Sequence, residues 1–121
     1  MAETAFLESV IAQDGMIEPE RLSGVLRVTR SELAMAAGLS RESVSKTARL
    51  RAQPIQTRLR ELAEIINRVL PWCGSIQQAF AWYRSQPLPS FGDQTAEDLV
   101  RAGRAEHVLR YLSRVAVGGY A

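Results

Sequence analysis

Residues 29–47 read TRSELAMAAGLSRESVSKT, and their spacing predicts two short helices joined by a tight turn. Thr29 and Glu32 stand three apart, the spacing of a capping box, so a helix can begin there and carry Leu33, Ala34 and Ala37 inward. Gly38 supplies a left-handed turn residue to end it. Ser40 can cap a second helix, with Glu42 where the helix dipole favours a negative charge. Ala34, Gly38 and Val44 then fall where a helix-turn-helix needs a small residue at the close crossing, a flexible turn, and a branched apolar residue between the helices. With Ser40 at its start, the second helix would project Arg41, Ser43, Ser45, Lys46 and Arg49 away from Val44, which makes them the candidate DNA contacts. An ordinary helical hairpin with a glycine at its corner has the same apolar spacing, so the motif by itself leaves both open.

Charge points the same way. The chain has 121 residues and a formal net charge of +2, but that figure hides a division. Residues 1–20 carry −5, residues 21–70 carry +6, and residues 71–121 carry +1. The positive excess is centred on the candidate helix-turn-helix and the helix after it, as an electrostatic footprint on a phosphate backbone requires. The apolar fraction of 46% is ample for one small core. No apolar run is long enough to span a bilayer, and the acidic N-terminus is unlike a signal peptide, so the expected location is cytoplasmic. A lone Cys73 forms no internal disulfide and cannot alone hold a structural metal. His107 is the only histidine. No set of nucleophile, base and orienting group can be assembled, so no catalytic residue, metal or cofactor is expected and the chain reads as a non-enzyme.

Taken in order, the chain predicts helices throughout. Phe6, Leu7, Val10 and Ile11 mark one face of a short acidic helix, expected to pack on the body. Asp14-Gly15 signals a turn, and Pro19 opens a helix that buries Leu22, Val25 and Leu26. Ile55, Leu59, Leu62, Ile66 and Val69 recur at steps of four and three, which predicts a long central helix from Pro54 to Leu70, stopped by Pro71. Arg58, Arg60 and Arg68 would be its wet face. Ser75 with Gln78, and Thr95 with Asp98, are two further capping boxes. They flank QPLPSFGDQ, residues 86–94, which two prolines and a glycine keep from being helical throughout. Gly103 ends the short helix after Thr95, and a last helix takes Ala105, Val108, Leu109, Leu112 and Val115 inward as far as Gly118-Gly119. The expected fold is all-α: an N-terminal extension (1–15), a helix-turn-helix region with the central helix (16–70), and a small helical C-terminal domain (71–121).

The last third, AFAWYRSQPLPSFGDQTAEDLVRAGRAEHVLRYLSRVAVGGY from Ala79 to Tyr120, resembles the tail of the Xre/MbcA/ParS-like antitoxins. That family's tail shows a tryptophan-bearing helix, a proline-containing loop and a glycine. A short helix ending in leucine and glycine follows, then a valine- and leucine-rich helix and a closing glycine. These features fall on Trp82, Pro89, Gly92, Leu99, Gly103, Val108, Leu112 and Gly118. The helix from Pro19 and the helix-turn-helix ending at Lys46 look like the Xre-type half of the same proteins, so the likeness covers about residues 16–121. There are two departures. Ala96 stands where the family commonly has proline, and PSFGD lacks the asparagine often found after the loop proline.

The resemblance implies an antitoxin of a type II toxin–antitoxin pair. Its partner would be a RES-domain toxin, which consumes NAD by phosphorolysis or by ADP-ribosyl transfer. Trp82 and the loop Pro89–Phe91–Gly92 would sit near the docking surface, and Gly103, Tyr111, Gly118, Gly119 and Tyr120 would lie closest to the toxin mouth. Inhibition would be steric. The chain would act as a homodimer within the larger toxin–antitoxin complex and would repress its own operon by binding operator DNA. Two rivals stand beside this expectation. One is a stand-alone Xre-like regulator whose tail is only a dimerisation core. The other keeps the toxin but uses the helix-turn-helix for oligomerisation alone.

Overall fold

The computed structural model describes residues 2–40 and 52–118. Among them the chain forms α-helices, one 3-10 turn and no strand. The helices are α1 (Ala2–Val10), α2 (Pro19–Leu26), α3 (Arg30–Ala36), α4 (Gln53–Cys73), α5 (Ile76–Ser85), α6 (Ala96–Arg101) and α7 (Ala105–Gly118), with the 3-10 turn at Pro89–Phe91. Candidate DNA contacts Arg41, Ser43, Ser45, Lys46 and Arg49 lie outside the described residues, as do Gly119 and Tyr120.

α4 is the axis. α1, α5, α6 and α7 all pack against it, while α2 touches α1, α3 and α5. The apolar positions recurring at steps of three and four explain this arrangement, because Leu59, Leu62, Ile65, Ile66 and Val69 are all fully buried. One continuous core runs from Phe6 and Val10 in α1 to Val108 and Leu112 in α7. α1 is therefore packed on the body, and Phe6 and Val10 are what hold it there.

Local chemistry sets the helix ends. Thr29 and Thr95 each make both bonds of a capping box, with Glu32 and Asp98 respectively. Ser75 makes only one, accepting from the Gln78 amide at 3.1 Å. Pro71 does not stop α4, as the sequence suggested; the helix continues to Cys73 and closes at Gly74, whose φ is +91°. In the last turn a proline removes only the bond to the carbonyl of Asn67, a loss that the remaining helix tolerates. Gly74 is the stronger stop, since its left-handed conformation turns the chain away.

Among the arginines of α4, Arg58 is a second correction. Arg60 and Arg68 are exposed, as a wet face requires, and only Arg58 is half-buried, yet all three also fasten other elements to the axis. Arg60 donates to the Gly15 carbonyl at 3.0 Å, Arg68 to Ser113 Oγ at 3.1 Å, and Arg58 to the Val100 carbonyl. Sequence periodicity also misses Gln56, which is buried and pairs both ways with the backbone of Ile17, accepting at 2.8 Å and donating at 3.0 Å. A glutamine amide carries one acceptor and two donors, so it can stand in for a neighbouring strand and satisfy a buried loop residue on both sides. Together Gln56 and Arg60, one turn apart, hold the 11–18 loop on α4.

Candidate functional site

α5 and α7 reach the surface on either side of the loop that joins α5 to α6. The loop is anchored by Leu88, which is buried and accepts amide bonds from Phe91 and Asp93 while donating to Gln94. Gly92 and Asp93 both take left-handed conformations, with φ of +63° and +64°, and so fold the chain back over a single turn. This closure presents Pro87 and Pro89 outward next to Trp82 of α5 and Tyr111 of α7. Those four side chains, with Gln86 and Leu88, line a cleft of about 350 Å³.

Phe91 braces one wall. Its ring meets Tyr111 edge-on, centroids 6.0 Å apart at 74°, and His107 likewise at 6.2 Å and 80°. His107 and Tyr111 are one turn apart on α7, so the phenyl ring is held between consecutive turns of one helix. Beneath the loop, Arg84 of α5 and Glu97 of α6 form an ion pair at 3.1 Å, with Glu97 buried and the Arg84 guanidinium 5.5 Å from the centre of the Phe80 ring. Losing Arg84 would leave a buried carboxylate without its partner, the costly way to break such a pair. Both walls of the cleft are thus fixed before any partner arrives.

Of the residues singled out for toxin docking, Trp82, Pro89 and Tyr111 converge on this cleft, and Phe91 supports it. Gly92 shapes the loop from outside the lining. Gly118 is the last residue of α7, two helical turns beyond Tyr111, or about 10 Å along the axis and close to the same face. Gly103 lies elsewhere, beside the guanidinium of Arg58: a Cβ added to it would stand 3.7 Å from Nη2. Gln86, Pro87 and His107 belong to the site but were not singled out from sequence. Only the doubled proline in QPLP hinted at the first two, and nothing marked His107 as a ring partner of Phe91.

At the other candidate site, only the leading edge is described. Ala34 is buried, Gly38 has φ +72°, and Ser40 is exposed at the end of the described stretch. The turn is braced from behind. Tyr83, fully buried in α5, donates its hydroxyl to the Ala36 carbonyl at 2.6 Å. Burial holds that phenol well above its usual range; Glu97 and Glu61 push it further up, while Arg58 and Arg84 oppose them. Glu61 itself is raised, chiefly by burial, against the lowering effect of Arg58.

A second, larger groove of about 730 Å³ opens between α1, α2 and the α4–α5 corner, and its lining holds no charged side chain. Cys73 is half-buried, and burial raises its thiol above the ordinary value, which disfavours the thiolate. Among the described residues no three His, Cys, Asp or Glu side chains gather in a metal-binding arrangement, and no helix is long and apolar enough to cross a membrane. Comparison with protein-family models finds no family that matches the chain, and comparisons with curated proteins and with solved structures find no match either.

Proposed function

We propose that this chain is the antitoxin of a toxin–antitoxin pair, that it docks on a RES-domain toxin through the Trp82–Tyr111 cleft and the end of α7, and that it represses its own operon through residues 40–49. The observation that supports docking is the convergence of Trp82, Pro89, Phe91 and Tyr111. Aromatic rings and prolines lose little side-chain entropy on binding, and a rigid cleft of this kind is the usual centre of an energetic hot spot. The end of α7 would then extend from the docked cleft over the toxin's NAD pocket. Blocking such a pocket needs only a preordered helix end and no chemistry in this chain. A homodimer presenting two such faces would carry the operator-binding function.

The rival, a stand-alone Xre-like regulator, draws on α3. The Thr29–Glu32 capping box, buried Ala34 and left-handed Gly38 fit a helix-turn-helix whatever the tail does. One experiment separates the two. Deleting everything after Arg104 would remove Ala105, Val108 and Leu112 from the core, so substitutions serve better. Cellular NAD is measured while the open reading frame beside this one is expressed with the wild-type chain or with a Trp82→Ala, Tyr111→Ala variant of verified fold. The proposal expects NAD to be held by the wild type and to collapse with the variant. If NAD is unaffected even without this chain, the toxin is lost from the proposal and the regulator stands in its place. If the variant protects fully, the cleft is not the docking surface.

A further inference from the structure

The cleft between α5 and α7 offers a partner few polar groups, and those it offers are of one kind. Trp82 and Tyr111 line it from the two helices. Neither side chain has a hydrogen-bond partner among the described residues, and neither polar atom is sealed from solvent. The indole N–H of Trp82 only donates, and the phenol of Tyr111 has its proton to give. The loop that closes the cleft has little left to add. Pro87 and Pro89 carry no N–H, the Gln86 amide donates to the Trp82 carbonyl at 3.0 Å, and the Leu88 amide donates to the Gln94 carbonyl at 2.9 Å. The Pro87 carbonyl accepts from Gln86 Nε2 at 3.2 Å, and the Leu88 carbonyl accepts from Phe91 and Asp93. No lining side chain is charged.

These features exclude three common ways of holding a peptide. An added β-strand needs a row of unpaired N–H and C=O groups along an edge, and the amides from Gln86 to Pro89 are absent or already paired. A docked helix pairs its own N–H and C=O groups internally, so it would cover the Trp82 and Tyr111 donors without satisfying them. An acidic or phosphorylated motif needs cations that the lining lacks. What fits is a segment that brings accepting carbonyls on a compact apolar body. A polyproline II helix does this, since it has no internal hydrogen bonds and its prolines carry carbonyls with no N–H to satisfy. It is also ordered before binding, as the cleft is, with Tyr111 held edge-on to Phe91 at 6.0 Å.

We infer that the Trp82–Tyr111 cleft takes an extended, proline-containing segment of its partner protein, whose carbonyls accept from Trp82 Nε1–H and the Tyr111 hydroxyl. This inference rests on the proposed use of the cleft as the docking surface and names the chemistry of what enters it. At about 350 Å³ the cleft is at the small end of ligand sites, which suits a single X–Pro step rather than a long groove-filling element. The flat pyrrolidine ring lies against the two aromatic rings, and Pro87 and Pro89 complete an apolar wall around it.

The chain's two tryptophans make the test direct, because Trp72 is exposed at the end of α4 and lies outside the cleft lining. The isotope-labelled full chain shows one indole N–H signal for each in a proton–nitrogen correlation spectrum, assigned with Trp72→Phe. It is titrated with a polyproline peptide of about nine residues, three turns. A glycine–serine peptide and an amphipathic helical peptide of the same length are the controls. The Trp82 signal should move with polyproline alone, and the Trp72 signal should stay. Tyr111→Phe keeps the ring against Phe91 and removes one donor, so it should weaken polyproline binding by about 2- to 12-fold without shifting thermal unfolding. A Trp82 signal that no peptide moves overturns the inference, as does a helical peptide that binds as tightly as polyproline. Equal affinity in wild type and Tyr111→Phe also overturns it. A Trp82 signal that moves on dilution of the free protein assigns the cleft to a second copy of the chain, with the same consequence. The NAD measurement on Trp82→Ala, Tyr111→Ala reports docking separately. A cleft that docks the toxin yet ignores polyproline loses the inference and keeps the proposed function; one that binds polyproline while that variant still protects NAD keeps its peptide site and loses the toxin as its occupant.

Discussion

Replacing Tyr83 with phenylalanine removes one oxygen from the centre of the molecule and nothing else. The ring is fully buried and its hydroxyl donates to the Ala36 carbonyl at 2.6 Å. That carbonyl is among the last four of α3, which have no partner within their own helix. Phenylalanine fills the same space, so the cost is the unsatisfied carbonyl rather than a cavity: about 1–3 kcal/mol. At this chain length that corresponds to a drop of roughly 3–12 °C in melting temperature. The pH dependence supplies a second readout. A tyrosine in the unfolded chain titrates near pH ~10, and burial holds the folded Tyr83 well above that value. The stabilising contribution of the protonated phenol is therefore complete below about pH 10 and is lost as pH rises from there towards the folded value. Phenylalanine has no proton to lose. The gap between wild type and Tyr83→Phe should narrow above about pH 10, by at most ~1.4 kcal/mol per pH unit. Urea unfolding of both proteins at pH 8 and at a series of pH values above 10 measures this directly. Equal stability at pH 8, or a gap that does not change with pH, would refute the reasoning.

Three other substitutions test the scaffold. Gly38→Ala places a Cβ 2.9 Å from the Cα of Arg101, a backbone atom that cannot swing aside, whereas Gly15→Ala, also left-handed, meets nothing within 4 Å. Urea unfolding should show about 1 kcal/mol lost at Gly15 and clearly more at Gly38. Gln56→Leu leaves the buried N–H and C=O of Ile17 unpaired, so a loss of roughly 2–5 kcal/mol is expected. Hydrogen exchange should show the Ile17 amide losing protection first. Thr95→Ala removes the cap of α6 and should cost about 1 kcal/mol, while Ser75→Ala, where the reciprocal bond is missing, should cost less; melting temperatures of the two variants give the order.

Much of the architecture follows from local rules that the sequence displays openly. The spacing of Ile55, Leu59, Leu62, Ile66 and Val69 fixes α4 and its buried face, because a helix repeats every 3.6 residues whatever surrounds it. Thr29–Glu32 and Thr95–Asp98 mark where α3 and α6 begin, since a capping box is made within four residues. Pro89, Gly92 and their neighbours exclude a helix between α5 and α6 for equally local reasons. Trp82, Pro89, Phe91 and Tyr111 could be singled out along the chain, but their meeting around one cleft depends on how α5 and α7 pack on α4.

What only the tertiary structure decided is the use of polar side chains. Arg58, Arg60 and Arg68 look like a solvated face when α4 is considered alone. Their destinations are the carbonyls of Val100 and Gly15 and the hydroxyl of Ser113, each more than forty residues away. Gln56 and Tyr83 likewise satisfy backbone groups of distant segments. Apolar periodicity is a property of one helix and can be read from one stretch of chain. A buried polar group must instead find its partner wherever packing leaves an unpaired donor or acceptor, and that place does not exist until the helices have come together.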